Sequence, residues 1–154
     1  MFRGINTISL DNKGRIAIPA KHREILDGLN KSGQLIITID PEDRCLLMYP
    51  LHHWEEIEQK ISRLPSFNYA ARRIQRLLIG HATEVSIDNQ GRILIAQELR
   101  EYANLSKRAV LVGQAKKIEI WDLEYWNEKR DIWLEKNVNL EDKNLSIDLQ
   151  ALSL

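Results

Sequence analysis

A chain of 154 residues can bury a sizeable core, as one domain or as two small ones. Hydrophobic residues make up 44% and charged residues 29%, an ordinary balance for a soluble globular protein, and no run approaches the ~20 apolar residues of a membrane span. Formal net charge is zero, which argues against a general nucleic-acid binder with a basic excess but leaves room for a local basic patch.

The opening MFRGINTISL has no apolar run of signal-peptide length. Cys45 stands alone in the apolar CLLMY, so a buried thiol is expected rather than a disulfide framework or a metal cluster. The expected location is cytoplasmic. Residues 7–10 alternate and are rich in β-branched side chains, which predicts a strand. DNKG then reads as a four-residue turn. Asp11 and Asn12 suit its early positions, and Gly14 suits the positive φ that closes it. Residues 15–18 alternate again, so the two segments predict a β-hairpin. Pro19 suits a helix start, with a short helix over 21–26. QLIITID and RCLLMYP predict two more strands around a turn at 41–43. Pro50 opens a helix from Leu51 to about Arg63, with Trp54, Ile57 and Ile61 on one face. Leu64–Ser66 break the chain. A second helix is predicted over about 67–79, with Gly80 as its C′ residue.

The pattern then starts again. SLDNKGRIAIP begins at Ser9 and SIDNQGRILIA at Ser86. At an offset of 77, nine of the 19 pairs between residues 7–25 and 84–102 are identical. They include Asp11/Asp88, Asn12/Asn89, Gly14/Gly91, Arg15/Arg92, Arg23/Arg100 and Glu24/Glu101, too many for chance at one register. With small gaps LLMYPLHHW lies over IEIWDLEYW, which pairs Trp54 with Trp126 as packing residues of matching closing helices. The expected division is a first unit at 1–65, a linker helix at 66–80, a second unit at 81–136 and a mobile tail at 137–154. In the tail, alternating Leu145, Ile147 and Leu149 would suit a strand that docks on a partner. Hairpins this small are not stable alone, so the two units are expected to bury their sheets against each other as an intrachain pseudo-dimer. The fold class is α+β, mainly β, with flanking helices.

Four readings compete for the repeated Asp-x-x-x-Arg. Asp11 and Arg15 could form no more than a surface ion pair across a turn. A calcium loop fails, because Gly14 comes two positions early and His22 and Leu99 stand where a twelfth-position glutamate is needed. Catalysis fails too: His22, His52, His53 and His81 have no repeated counterpart, and no nucleophile is paired with a base at recognisable spacing. No enzyme activity, cofactor or metal is expected. The fourth reading is nucleic-acid recognition. Arg15 and Arg92 at the start of a ribbon strand could read guanine in a major groove, with Lys13, Lys21 and Arg23 placing the backbone. Arg72, Arg73 and Arg76 read either as a solvated helix face or as phosphate contacts.

The two phrases DNKGR and DNQGR, the opening FRG and the linker YAARRIQRLLIGHA resemble the MraZ family of bacterial transcriptional regulators up to about Lys136. That resemblance implies two AbrB-like swapped-hairpin units in one chain and a ring-like homo-oligomer. It implies double-stranded DNA as partner, through direct repeats upstream of the protein's own division and cell-wall operon. Repression, association with the nucleoid and no membrane partner go with it. The motif residues carried over are Asp11, Arg15, Asp88 and Arg92. Gln90 in place of Lys13 makes the second turn less basic. The alternative is an assembly scaffold, or an antitoxin-like module whose main partner is a protein.

Overall fold

The structure, a computed structural model, describes residues 1–29, 33–136 and 146–152. The first unit supplies β1 (Phe2–Ser9), β2 (Arg15–Ala17), α1 (Ala20–Leu29), β3 (Gln34–Ile39), β4 (Leu46–Pro50) and α2 (Leu51–Ser62). α3 (Tyr69–Ile74) runs on into a π-helical turn at Gln75–Ile79. The second unit repeats the order as β5 (Thr83–Ser86), β6 (Arg92–Leu94), α4 (Gln97–Tyr102), β7 (Arg108–Ala115), β8 (Lys117–Asp122) and α5 (Leu123–Glu135). A one-turn helix, α6 (Ile147–Gln150), follows.

The predicted hairpin does not form. Leu10 and Ile16 share only an isolated bridge, and β1 pairs along all eight of its residues with β7 of the other unit. β5 of the second unit likewise pairs with β3 of the first. The six-stranded sheet runs β1-β7-β8-β4-β3-β5, an order that reads the same when the units are exchanged. β2 and β6 leave this sheet and pair with each other as a two-stranded antiparallel ribbon. Two stacked sheets were expected; the units instead share one sheet and one ribbon. The reason lies in the alternation. Ile16, Ile18, Ile93 and Ile95 are all buried and need an apolar face, and the shared sheet supplies it through Leu35, Ile37, Leu111 and Ile120.

The other face of the sheet is covered by helices. Trp54 of α2 packs on Ile36, Leu47 and Tyr49, and Trp126 of α5 packs on Val110, Val112 and Trp121. The linker is tied down by Thr38, whose hydroxyl donates to the Leu78 carbonyl at 2.7 Å. Its helix starts later than predicted, at Tyr69, because Asn68 is the residue that caps it, accepting from the Ala71 N–H. Gly80 does not turn left-handed as a C′ residue; its φ is −61°. Space is what requires glycine there, since an added Cβ would run into the Arg76 carbonyl oxygen. In the tail, Ile147 and Leu149 lie on helical α6, capped by the Ser146 hydroxyl, rather than on a docking strand. Leu145, like residues 137–144, lies outside the described residues. Cys45 is buried as expected.

Candidate nucleic-acid interface

Each repeated turn is built by its aspartate. Asp11 Oδ1 accepts the backbone N–H of Lys13 and of Arg15, both at 2.9 Å, and Oδ2 accepts Arg15 Nε at 2.7 Å. Gly14 closes the turn by donating to the Asp11 carbonyl at 3.0 Å with φ +85°. The second copy repeats every bond. Asp88 Oδ1 accepts from Gln90 and Arg92 N–H at 2.8 and 2.9 Å, Oδ2 accepts Arg92 Nε at 3.1 Å, and Gly91 has φ +75°. The four-residue spacing is therefore a requirement of geometry: one carboxylate shapes the loop and aims the arginine that leaves it. The arginine N–H above all, then the arginine side chain and the Lys13 N–H, hold the Asp11 carboxyl down at about 2. Asp88 is lowered in the same way.

The surface ion pair and the recognition reading describe the same contact. Binding through Nε fixes the guanidinium plane. It leaves the terminal nitrogens of Arg15 without a hydrogen-bond partner among the described residues. Arg92 Nη1 lies 4.0 Å from Asp11 Oδ2, so the second arginine also leans towards the first turn.

The ribbon brings the two motifs together. Arg15 faces Leu94, Ile16 faces Ile93, and Ala17 faces Arg92. The Ile18 N–H donates to the Gly91 carbonyl and the Ile95 N–H to the Gly14 carbonyl, which lock each strand end to the opposite turn. Because side chains alternate, the isoleucines point into the core. Arg15, Ala17, Arg92 and Leu94 share the outer face. Lys13 is exposed on the adjoining turn, as are Asn12 and Asn89.

Two arginines lie beneath the turns. An added Cβ on Gly91 would sit 2.8 Å from Arg23 Nη1, and one on Gly14 would sit 2.6 Å from the Arg100 guanidinium carbon. Each unit thus props the turn of the other. Arg100 is fixed by its Nε bond to the Ile95 carbonyl at 3.0 Å, and the half-buried Arg23 packs against the second turn. Arg100 was missed as a site residue by sequence reasoning, although its identity with Arg23 at the same offset as the paired glycines was the available signal. Lys21 is exposed and its Nζ lies over Gly4, towards β1. Arg73 is taken up by Glu42 at 3.6 Å and by the Pro41 carbonyl, while Arg72 and Arg76 are exposed.

A family model described as "MraZ protein, putative antitoxin-like" matches residues 1–77 and again residues 78–143. The chain belongs to the MraZ family. Proteins named "Transcriptional regulator MraZ" from Coxiella burnetii (strain Dugway 5J108-111), Legionella pneumophila (strain Corby) and Halorhodospira halophila are 53%, 49% and 48% identical to it, each over the full length of both chains.

Among the described residues, one group has donor atoms close enough for a metal ion: Asp40, Cys45 and Glu119, within 4.8 Å of one another. Burial pushes both the Cys45 thiol and the Glu119 carboxyl up, towards their neutral forms, and Glu119 already accepts Trp121 Nε1–H at 2.8 Å. No helix among the described residues is long and apolar enough to cross a membrane.

Proposed function

We propose that this chain is a sequence-specific DNA-binding transcriptional regulator. It acts as a ring-like homo-oligomer on direct repeats upstream of its own gene, as a repressor of a division and cell-wall operon at the nucleoid. The observation that carries the reading is the ribbon's outer face. Two arginines stand there, two residues apart across the strands, each aimed by a carboxylate through Nε. A two-stranded ribbon fits a major groove, and a guanidinium fork matches guanine O6 and N7. Lys13 would position the phosphate backbone. Lys21 and Arg23 are weaker candidates for that role, since one lies over Gly4 and the other against Gly91. The names of the relatives support the same function.

Zero net charge is consistent with multimer dependence. A protomer with a small basic face binds DNA weakly, and several such faces on one ring raise the effective concentration of each. The test is binding of the full chain to its own upstream DNA across a salt series, against a shuffled sequence of equal composition. Specific binding that weakens with salt is expected. Moving one repeat by half a helical turn, ~5 base pairs, should weaken binding as much as deleting it. Equal binding to both sequences would sink the reading. Retained regulation after loss of both arginines would favour a protein-binding scaffold instead.

A further inference from the structure

Leu94 has an unusual position for a large apolar side chain. It is 53% exposed, yet it sits on β6 beside the two arginines rather than at a terminus or on a helix flank. Its cross-strand partner is Arg15, and Arg92 is two residues before it on the same strand face. Around the ribbon's pseudo-two-fold, the matching position is Ala17, opposite Arg92. The outer face thus carries two equivalent arginines, but a branched side chain beside only one of the cross-strand partners.

We infer that Leu94 is a specificity residue that packs on the C5-methyl group of a thymine next to the guanine read by Arg15, which gives each binding site a direction. The inference rests on the DNA-binding reading above. Three observations carry it. Cross-strand neighbours have Cβ atoms about 5 Å apart, so Leu94 and Arg15 can reach neighbouring base pairs in one groove. The thymine methyl is the one apolar feature on the major-groove floor, and it is where an aliphatic side chain makes a favourable contact among polar edges. An apolar protein partner would fit less well here. It would have to cover Arg15 and Arg92, whose charges would then lose water without gaining guanine acceptors. Ala17 is too short to make the same contact beside Arg92. The two ends of the ribbon therefore read different sequences, as an oriented site requires and a palindrome does not.

The experiment compares the natural upstream DNA with the same DNA in which every thymine is replaced by uracil, which removes the methyl group and keeps the base-pairing edge. Wild-type protein should bind the uracil probe about fourfold more weakly for each methyl group it packs on. Leu94→Ala should bind both probes equally, with the circular dichroism spectrum and the light-scattering mass of the wild type. Equal wild-type affinity for the two probes would overturn the inference and leave the DNA reading standing. So would a Leu94→Ala protein that keeps the uracil penalty. A Leu94→Ala protein that falls apart into smaller species while keeping that penalty would reassign Leu94 to contact between copies. No specific binding of the wild type to the thymine probe would bring down both readings together.

Discussion

In the first unit Asp11 holds its arginine at 2.7 Å, with Lys13 on the same turn and His22 buried on the helix that follows. In the second, Asp88 holds Arg92 at 3.1 Å, with Gln90 and Leu99 in the matching places. Lys21 is likewise replaced by Glu98. The carboxylate bonds, the closing glycine and the prop arginine are kept in both copies; charge and bulk around them are not. What repeats is therefore the device that aims an arginine. What varies is the setting in which each arginine works, and the first turn has the more basic one.

The largest effect should come from removing the shared feature. Arg15→Ala should weaken specific DNA binding by about 1–3 kcal/mol for each base that the arginine reads, and the Arg15→Ala, Arg92→Ala double variant should abolish specificity in gel shifts. Unchanged thermal unfolding would confirm that the fold survives. Asp11→Ala sharpens the point through its sign. Deleting a negative charge near DNA would strengthen binding if only charge mattered, whereas loss of the aiming bond should weaken it. Competition binding at fixed salt decides between the two.

Gly14→Ala and Gly91→Ala should each destabilise by about 1–3 kcal/mol, because both need positive φ. Gly14→Ala should cost more. Its added Cβ meets Arg100 at 2.6 Å and the Cδ of that arginine at 2.8 Å, whereas at Gly91 the approach to Arg23 is looser, 2.8 Å at Nη1 and 3.0 Å at Cδ. Differential scanning calorimetry of the pair measures the difference.

His22 and Leu99 offer a contrast inside the core. His22 is fully buried, and neither ring nitrogen has a hydrogen-bond partner among the described residues. Burial, and then the charge of Lys21, lowers its pKa below 6.5. The unfolded chain thus takes up the proton more readily, and stability should fall as pH drops below about 6.5 towards the folded-state value. His22→Leu, which copies the second unit, should add about 1 kcal/mol and flatten that part of the pH profile in urea titrations. The smallest effect belongs to the turn tips. Lys13→Gln should reduce the salt slope of DNA binding by about one phosphate contact, and Gln90→Lys should increase it by the same amount.

The order of elements was legible because each depends on neighbours in sequence: alternation at 15–18, Pro50 before a helix, and the turn residues of DNKG. The wrong hairpin shows where that stops. A four-residue turn between two alternating segments favours local pairing, but it carries no information about a longer partner strand. β1 finds eight residues of β7 instead. The motif arginines were legible because the repeat marked them. That Arg15 and Arg92 share one face was not, since it follows from a ribbon formed between the units. The packing of Arg23 against Gly91 was hidden for the same reason: the glycine it meets belongs to the other copy.

The exchange of strands also has a consequence during synthesis. Arg15 enters the ribbon only when Leu94 has been made, and β1 stays without its partner until β7 is complete. A ribosome that stops before Arg92 therefore releases a chain with one motif arginine and no ribbon to hold it. The ribbon is therefore completed once translation has passed Leu94, and the six-stranded sheet once it has passed Asp122.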